Sequence, residues 1–310
     1  MGDFEEVNEN EKPLASNRRF TRHAMSLYEN GTDLRVRMCV DHITMVDYLK
    51  LDKLQEFVDF LSVDAYINIL NSEDAKIIKA RVVDESAYIE VHTTKLYVRV
   101  EFNPAKIDKI QRQFIFNNLV KKIPGYHFSR VDVALDLNLD LKDFFMYTDT
   151  PLKYAGYYSA VGVLETKYFG TRKSARYLRI YNKALERKEN AKDGEEPEIF
   201  VPGQPWWRVE AELKRSWIDD WQKSFSDLHM VKSSWKDLPD VRDRSMVCLL
   251  LNEPDEWGKI ERRTRNKYRE LINKTSDIDL NLIFDEAMQL NKNKILSELN
   301  YWIVPGTIRI

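Results

Sequence analysis

The sequence predicts an α+β fold, in which an antiparallel sheet with packed helices is followed by a helical C-terminal region. Most strand candidates alternate apolar and polar residues, which is typical of half-buried strands. Neighbouring candidates are joined by short connections, and these favour antiparallel pairing. From Ser216 to about Trp302 the apolar residues recur mostly at helical spacing.

The first part of the chain predicts a tail, several strands and two helices. Residues 1–17 are polar and acidic, and we expect them to form a disordered tail. Strand-like sequence starts at Leu34, with LRVRMCV and then DHIT. Apolar residues at helical spacing predict helices over residues 51–61 and 105–122. Three strand candidates lie between these helices: AKIIKARVV, AYIEVHTT and KLYVRVEF.

The next part predicts the rest of the sheet. FSRVDVALDLNL alternates strictly, with apolar side chains on one face and mostly charged ones on the other. A polar connection is expected over residues 188–204. We expect an α+β domain over residues 18–215 and the helical region over residues 216–310. The other strand candidates are KYAGYYS, GVLETKYFG, ARYLRIYNK and WWRVEAELK.

Composition narrows the class of protein. The formal net charge is −2 over 310 residues, so a nucleic-acid binder would need clustered positive charge. The chain has two cysteines, Cys39 and Cys248, which predict neither a disulfide framework nor a zinc site and fit a reducing compartment. The N-terminus is acidic, and the longest apolar run, about Met246 to Leu251, is too short to span a bilayer. We expect a soluble cytoplasmic protein without a membrane partner.

Three strand candidates have one apolar face and one face crowded with ionisable groups. If these strands share a sheet, that face gathers up to four carboxylates, a tyrosine and several cations. The alternative is that each is an ordinary half-exposed strand with solvated charges. The ionisable residues are Arg130, Asp132 and Asp136 in RVDVALD, Arg179, Tyr181 and Lys183 in RYLRIYNK, and Arg208, Glu210, Glu212 and Lys214 in RVEAELK.

Such a face suits the transfer of a phosphodiester bond to a protein side chain. The phenol of Tyr181 is a weak nucleophile while protonated, and neighbouring Arg179 and Lys183 would favour its phenolate. Carboxylates on neighbouring strands could hold Mg²⁺ or Mn²⁺, which would polarise the scissile phosphate. The products would be a 5′-phosphotyrosine and a free 3′-OH.

Two basic segments favour a nucleic-acid substrate, although each alone is more often a solvated face. Residues 172–193 contain eight Lys or Arg against three acids, and residues 259–270 contain six against two. Three aromatic residues lie beside these basic segments and could stack on unpaired bases: Trp206, Trp207 and Tyr268. For the two tryptophans, packing in the core is the better interpretation. The candidate DNA-binding residues are Arg172, Lys173, Arg262, Arg263, Arg265 and Lys267.

Other chemistries lack their motifs in this sequence. Neither G-x-x-x-x-G-K-[ST] nor G-x-G-x-x-G occurs, so a Walker-type ATPase or a dinucleotide enzyme is not indicated. The five histidines form neither an H-x-H nor an H-E-x-x-H group, and we expect a structural role for His127 ahead of the Asp132 strand.

These segments resemble a known family. RYLRIYNKALERKENA closely resembles the active-site segment of the initiators of staphylococcal-type rolling-circle plasmids, and ETKYFGTRKSAR resembles its lead-in. RVDVALD and RVEAELK resemble acidic strands of the wider group, which includes relaxases of some integrative elements. The resemblance runs from about Leu34 to the end, with RIYNK as its most specific part. It implies an antiparallel sheet distantly like the RRM and ferredoxin-like folds.

The resemblance also implies an activity, partners and roles. It makes Tyr181 the nucleophile of a topoisomerase-like enzyme that nicks and rejoins one strand at a hairpin in the plasmid's double-strand origin. It implies a homodimer, a host helicase of the UvrD-like type, and origin discrimination near residues 262–269. Metal ligands are expected among four carboxylates, with Asp132 and Glu210 as first choices and Asp136 and Glu212 as the others.

Two other functions stay open on the sequence alone. In one, the chain is a non-catalytic origin-binding protein, the basic helix binds DNA and the acidic strands are structural. In the other, it is a metal nuclease that activates water, and Tyr181 is a bystander. The source could be a plasmid, a phage or an integrative element, and the length and the RIYNK segment favour a plasmid.

Overall fold

The computed structural model describes residues 34–70, 72–150, 152–191 and 198–303. The expected tail over residues 1–17 therefore lies outside the described residues. Within the described residues, all strands but one lie before residue 234, in the part of the chain where the alternating sequences predict them. The strands are β1 (Val36–Tyr48), β2 (Ile67–Leu70), β3 (Ile77–Val82), β4 (Ala87–His92), β5 (Tyr97–Phe102), β6 (His127–Leu137), β7 (Phe145–Thr148), β8 (Tyr154–Tyr158), β9 (Leu164–Phe169), β10 (Arg176–Asn182), β11 (Trp207–Leu213), β12 (Leu228–Ser233) and β13 (Ser276–Asp279).

Ten of the strands in the described residues form one antiparallel sheet, in the order β2-β3-β4-β5-β1-β6-β11-β10-β9-β8. Every strand candidate is a strand in the structure, and LRVRMCV and DHIT are two parts of β1, which is irregular between Val40 and His42. The predicted α+β class with an antiparallel sheet is confirmed. Strands β6, β11 and β10, which carry the charged faces, lie side by side in the middle of the sheet.

Alpha-helices separate and follow the strands of this sheet, and four of those in the described residues lie after residue 215. None of those in the described residues is both long and apolar enough to cross a membrane. The α-helices are α1 (Leu51–Val63), α2 (Lys109–Phe114), α3 (Lys183–Asn190), α4 (Ser216–Asp219), α5 (Val241–Asn252), α6 (Arg262–Lys274) and α7 (Asn281–Tyr301).

The main core lies on the apolar face of the sheet. Val131 and Val133 of β6 are fully buried, and they belong to the same apolar cluster as Phe57 of α1 and Phe284 of α7. Each such side chain stabilises the fold by about 1.5–3 kcal/mol relative to exposure. Because α7 joins this cluster, the end of the chain helps to hold the sheet in place.

The helix predicted over residues 105–122 is shorter and less regular than expected. It begins at Lys109, since the Asp108 side chain accepts hydrogen bonds from the amides of Ile110 and Gln111, both at 2.8 Å. It continues as a π-helical turn, Ile115–Leu119, and ends in a 3₁₀ turn at Lys122.

The region after residue 215 is mostly helical, as predicted, but it also contains two short strands. Strands β12 and β13 pair there, and β12 also pairs with β7, so contacts cross the expected boundary at residue 215. These strands are four to six residues long, too short to stand out against the helical pattern around them. Helices α5 and α6 close a second apolar cluster with them, formed by Tyr147, Val231, Leu238, Val247, Leu250, Tyr268 and Ile272.

Candidate active site

The charged faces of β6, β11 and β10 meet on one side of the sheet. In the β10–β11 pair, Arg179 is opposite Glu210 and Tyr181 is opposite Arg208. In the β11–β6 pair, Glu212 is opposite Asp132. Because directly opposed residues of an antiparallel pair lie on the same face, these side chains become neighbours. The expected convergence of Tyr181 with carboxylates and cations is present in the structure.

Asp132 and Glu210 form a buried carboxylate pair at the centre of this face. Their exposed fractions are 0% and 2%, and their carboxyl groups lie within hydrogen-bonding reach of each other. Arg179 Nη2 donates to Asp132 Oδ2 at 3.1 Å and also to Glu210 Oε1. Arg130 Nε donates to Asp132 Oδ1 at 2.7 Å. Two arginines therefore compensate two carboxylates that water scarcely reaches.

Burial raises the affinity of this pair for protons. Burial, opposed by Arg179 and reinforced by the charge of Asp132, raises the pKa of Glu210 to about 7. Burial also raises the pKa of Asp132, against the attraction of Arg130 and Arg179. A carboxylate with a pKa near neutrality can accept a proton at neutral pH and release it again.

The Tyr181 hydroxyl points at this pair. It donates to Glu210 Oε2 at 3.1 Å, and the side chain is half-buried. Burial and the negative charge of Glu210 raise the pKa of Tyr181 well above its usual value, although Arg208 opposes them. Arg179 favours the phenolate, as expected of a flanking cation, but burial and Glu210 outweigh it and Lys183 contributes no comparable effect. The phenol is protonated, and a proton acceptor lies beside it.

Lys183 does not lie on the strand face as the alternating pattern predicted. Strand β10 ends at Asn182, whose side chain caps α3 by accepting a hydrogen bond from the Leu185 amide at 3.0 Å. The buried Lys183 Nζ is 2.7 Å from Glu186 Oε2 and 5.4 Å from the centroid of the Tyr181 ring. Its cation therefore lies over the ring rather than at the hydroxyl.

Asp136 belongs to a separate buried cluster. Arg208 Nε and Nη2 donate to its two oxygens at 2.7 and 2.9 Å, and Arg37 Nε donates to Oδ2 at 3.0 Å. Arg208 Nη1 also donates to Asp41 at 2.7 Å. Burial alone would raise the pKa of Asp136, but the two arginines lower it. Its oxygens are thus committed to holding strands β1, β6 and β11 together.

The four expected metal ligands therefore do not share one place. Glu212 is paired with Lys214 at 2.5 Å and with Arg130 at 3.1 Å. In the part of the chain that the structure describes, no three His, Cys, Asp or Glu side chains are placed to hold one ion. The structure brings together Asp132 and Glu210, the two first choices, and separates Asp136 from them. Cys39 and Cys248 are free thiols.

His42 lies at the site, although no sequence motif singles it out. It is opposite Asp132 in the β1–β6 pair, and its Nε2 is 3.0 Å from Thr44 Oγ1. Burial and the charge of Arg130 lower its pKa to about 4, so it is a neutral imidazole. Its position depends on the register of β1 against β6, which no local pattern encodes. His127, by contrast, is exposed at the start of β6.

Comparisons with known proteins give the family. The family model "Replication initiation protein, N-terminal" matches residues 42–123. A curated replication initiation protein from Staphylococcus aureus is 36% identical over 293 residues, which are 93% of this chain and 89% of that protein. The chain belongs to the replication initiation protein family. Another S. aureus member is 35% identical over 272 residues, 86% of this chain and 84% of that protein.

One solved structure was also found to be similar to this replication initiation protein. It is a rolling circle replication initiator protein from Geobacillus stearothermophilus, with 16% sequence identity and a TM-score of 0.37. The match covers 70% of this chain and 85% of that chain.

The first basic segment of this replication initiation protein divides into parts with different environments. Arg172 and Lys173 are exposed in the turn between β9 and β10. Arg176 is buried and makes a bidentate pair with Asp227 at 2.6 and 2.8 Å, so it stabilises the fold. Arg187 pairs with Glu198 at 3.1 Å. The residues exposed to a DNA backbone are therefore fewer than the count of cations suggests.

The second basic segment of the initiator is helix α6. Arg262 and Arg263 are exposed in its first turn, and Arg265 is partly exposed. Lys267 is exposed but contacts Asp243 at 2.6 Å. Tyr268 is buried in the second apolar cluster, so the idea that it stacks on bases is wrong. Trp206 and Trp207 are buried, as expected of core residues.

Proposed function

We propose that this replication initiation protein starts rolling-circle replication by nicking one DNA strand with Tyr181 and holding the cut end as a 5′-phosphotyrosine. The observation that carries the proposal is the hydrogen bond from the Tyr181 hydroxyl to Glu210 Oε2, at 3.1 Å. It joins a nucleophile to a carboxylate whose pKa is raised to about 7.

The chemical step conserves the number of phosphodiester bonds. Tyr181 gives its proton to Glu210 as its oxygen attacks the scissile phosphorus. The new bond joins the tyrosine oxygen to phosphorus, and the bond from phosphorus to the 3′-oxygen breaks. The departing oxygen takes up a proton from water and becomes a free 3′-OH, which can prime synthesis, and Glu210 then releases the tyrosine proton to water. The reverse reaction rejoins the strand without a nucleotide cofactor.

Arg179 is placed to hold the phosphate as well as the carboxylate pair. Its side chain is 29% exposed. The exposed part of its guanidinium could donate to a non-bridging phosphate oxygen, which would stabilise the charge that develops during attack. Arg130, 25% exposed beside Asp132, is a second candidate for this contact.

The site also fits a divalent metal ion, with Asp132 as its main ligand and Glu210 as a second, because an ion bound tightly to Glu210 would lower the pKa that lets it accept the Tyr181 proton. Two adjacent buried carboxylates are a ligand set that Mg²⁺ or Mn²⁺ accepts when water and a substrate phosphate complete the coordination. Such an ion would polarise the phosphate and stabilise the leaving oxygen. Asp136 is less suited because it lies in the separate cluster with Arg208 and Arg37, and Glu212 is less suited because it is also paired with Lys214.

Membership of the family supports the remaining parts of the proposal. The DNA would be the double-strand origin of a plasmid, cut at single-stranded sequence exposed by a hairpin. We propose that Arg262, Arg263 and Arg265 of α6 contact the origin, and that Arg172 and Lys173 contact the strand near the nick. A homodimer and a UvrD-like host helicase complete the assembly.

A denaturing gel with a labelled single-stranded origin oligonucleotide tests the proposal. With Mg²⁺ or Mn²⁺ the wild type should give a slow protein–DNA band, and Tyr181→Phe should give none. Tyr154→Phe, on the opposite face of the sheet, is the matched control and should behave as wild type. A cut strand with a free 5′-phosphate would instead identify a nuclease that activates water. Binding of the origin without any cut would identify a non-catalytic protein.

A further inference from the structure

A row of three tyrosines extends from the candidate active site to the edge of the sheet. Tyr168 of β9 is opposite Arg179, and Tyr157 of β8 is opposite Thr166, the residue paired with Tyr181. Tyr177 is two residues before Arg179 on β10. Alternation therefore puts all three tyrosines on the face that carries Tyr181.

The rings of these tyrosines touch in sequence. Those of Tyr168 and Tyr177 are stacked, with centroids 5.5 Å apart and planes 5° apart. Those of Tyr157 and Tyr168 meet edge to face at 5.6 Å and 88°. Exposure rises outward: Tyr177 is 8% exposed, Tyr168 is partly exposed and Tyr157 is 62% exposed. The inner ring supports a platform whose outer rings reach solvent.

Positive charge borders this platform. The turn between β9 and β10 presents Arg172 and Lys173 to solvent. It is fixed by Gly170, whose φ of +87° favours glycine, and by a 2.6 Å hydrogen bond from Lys214 Nζ to the Arg172 carbonyl. Arg179 adds a cation on the same face, because it is opposite Tyr168 and two residues after Tyr177 on β10.

We propose that Tyr157 and Tyr168 form a stacking platform for unpaired bases of the single strand that continues beyond the phosphate attacked by Tyr181. The inference rests on the proposed nicking function, since it names the site that takes the rest of that strand. Aromatic rings bordered by cations are the surface that binds single-stranded DNA without reading its sequence. The rings hold the bases, and Arg172 and Lys173 hold the backbone phosphates.

Two simpler explanations make different predictions. The rings could serve only to stabilise the sheet edge, since cross-strand aromatic pairs contribute to folding. The exposed edge strand β8 could instead pair with a second copy of the chain. The first predicts a loss of stability without a loss of DNA binding. The second predicts a change of oligomeric state.

Strand β8 offers a matched control. Tyr158 is next to Tyr157 and is 52% exposed, but its ring packs over Gly156 on the other face. Fluorescence anisotropy of full-length protein with labelled oligo(dT), without divalent metal, would compare Tyr157→Ala, Tyr157→Phe and Tyr158→Ala in a Tyr181→Phe background. We expect Tyr157→Ala to bind at least about fivefold more weakly, and the other two to bind within about twofold of the background protein.

A fluorescent base locates the contact. 2-Aminopurine, moved one position at a time along an origin oligonucleotide, should be quenched at one or two positions beside the nick, and Tyr157→Ala should abolish that quenching. Equal binding by Tyr157→Ala and Tyr158→Ala, with unchanged quenching, overturns the platform even if Tyr181 forms its covalent adduct. An altered sedimentation coefficient of Tyr157→Ala, with unchanged affinity for the oligonucleotide, also overturns the platform. If the adduct never forms but Tyr157→Ala still weakens binding, the platform stands and the nicking function fails.

Discussion

Tyr181 and Glu210 contact each other diagonally across neighbouring strands. In the strand register, Tyr181 is opposite Arg208 and Glu210 is opposite Arg179. The Tyr181 hydroxyl nevertheless donates a hydrogen bond to Glu210 at 3.1 Å. Arg179 occupies the other oxygen of Glu210. The carboxylate thereby turns one oxygen to a fixed cation and one to the nucleophile, which is the arrangement a proton acceptor requires.

Glu210→Gln should abolish proton transfer while leaving the fold intact. Glutamine keeps the shape and can still hydrogen-bond to Tyr181, but it cannot take the proton. We expect the single-turnover nicking rate to fall by about 10²-fold or more, with unchanged binding of the origin. Glu212→Gln, on the same strand and paired with Lys214, is the control and should keep most of the activity. Wild-type nicking by Glu210→Gln would remove Glu210 from the mechanism.

The stability of the metal-free protein should fall as pH rises through neutrality. The pKa of Glu210 is about 7 in the fold against an ordinary value of 4.5, so the folded state binds this proton more tightly than the unfolded chain does. The associated stability is complete below about pH 4.5 and is lost as pH rises through 7, by up to about 3 kcal/mol. Urea unfolding at pH 5.5 and 8 should show this loss in the wild type, and a smaller loss in Glu210→Gln.

Divalent metal should reverse that loss. An ion between Asp132 and Glu210 binds their ionised forms, so Mn²⁺ should raise the melting temperature more at pH 8 than at pH 5.5. Asp132→Asn should remove the response, whereas Glu212→Gln should retain it. The readout is a thermal shift without DNA, which separates metal binding from chemistry. An equal shift in Asp132→Asn would place the ion elsewhere.

Asp136→Ala should reduce stability rather than act on the chemistry. It would leave Arg208, which is buried with an exposed fraction of 3%, without its bidentate partner. Breaking a buried pair in this way costs about 3–5 kcal/mol. Chemical denaturation should show that loss, and the nicking rate per folded molecule should change little at low temperature. A stable Asp136→Ala protein without activity would instead make Asp136 part of the catalytic centre.

Replacing Arg262, Arg263 and Arg265 by Ala should weaken binding of duplex origin while nicking of a pre-melted single strand continues. These residues lie on α6, which is far from the carboxylate pair in sequence and packs in the second apolar cluster through Tyr268 and Ile272. Lys267→Ala is the comparison within the same helix and should have a smaller effect, since Lys267 already contacts Asp243. Gel shifts at two salt concentrations measure the change. Equal loss of binding and nicking would argue against a separate recognition helix.

Much of the sheet could be predicted because alternation is a local property. The pattern in RVDVALD and RVEAELK gives strands and says which residues share a face. It does not say which residue is opposite which across two strands. The register pairs Asp136 with Arg208 and brings His42 beside Asp132, and neither partner follows from spacing within one segment. The separation of Asp136 from Asp132, by contrast, does follow from spacing, because residues four apart on one strand lie about 13 Å apart.

Other sequence predictions fail because an alternating pattern in the sequence continues beyond the residue at which the strand ends. Lys183 follows the alternation of β10, but the chain turns into α3 after Asn182 and carries the ammonium group over the Tyr181 ring. Counting cations in a segment likewise does not show which of them are exposed to DNA. Arg176 lies in a basic segment, but it is buried against Asp227. Burial also reverses the expected effect on Tyr181, whose pKa rises although cations flank it in sequence.

The most direct test of the account is to find the atom that carries the DNA. After reaction with an origin oligonucleotide and Mn²⁺, the protein is digested with nuclease and trypsin, and its peptides are analysed by mass spectrometry. Cleavage after Arg179 and Lys183 releases the peptide IYNK, which contains Tyr181. The account predicts a nucleotide-phosphate adduct on the tyrosine of this peptide. An adduct on another peptide, or a cut strand with a free 5′-phosphate and unmodified IYNK, would contradict it.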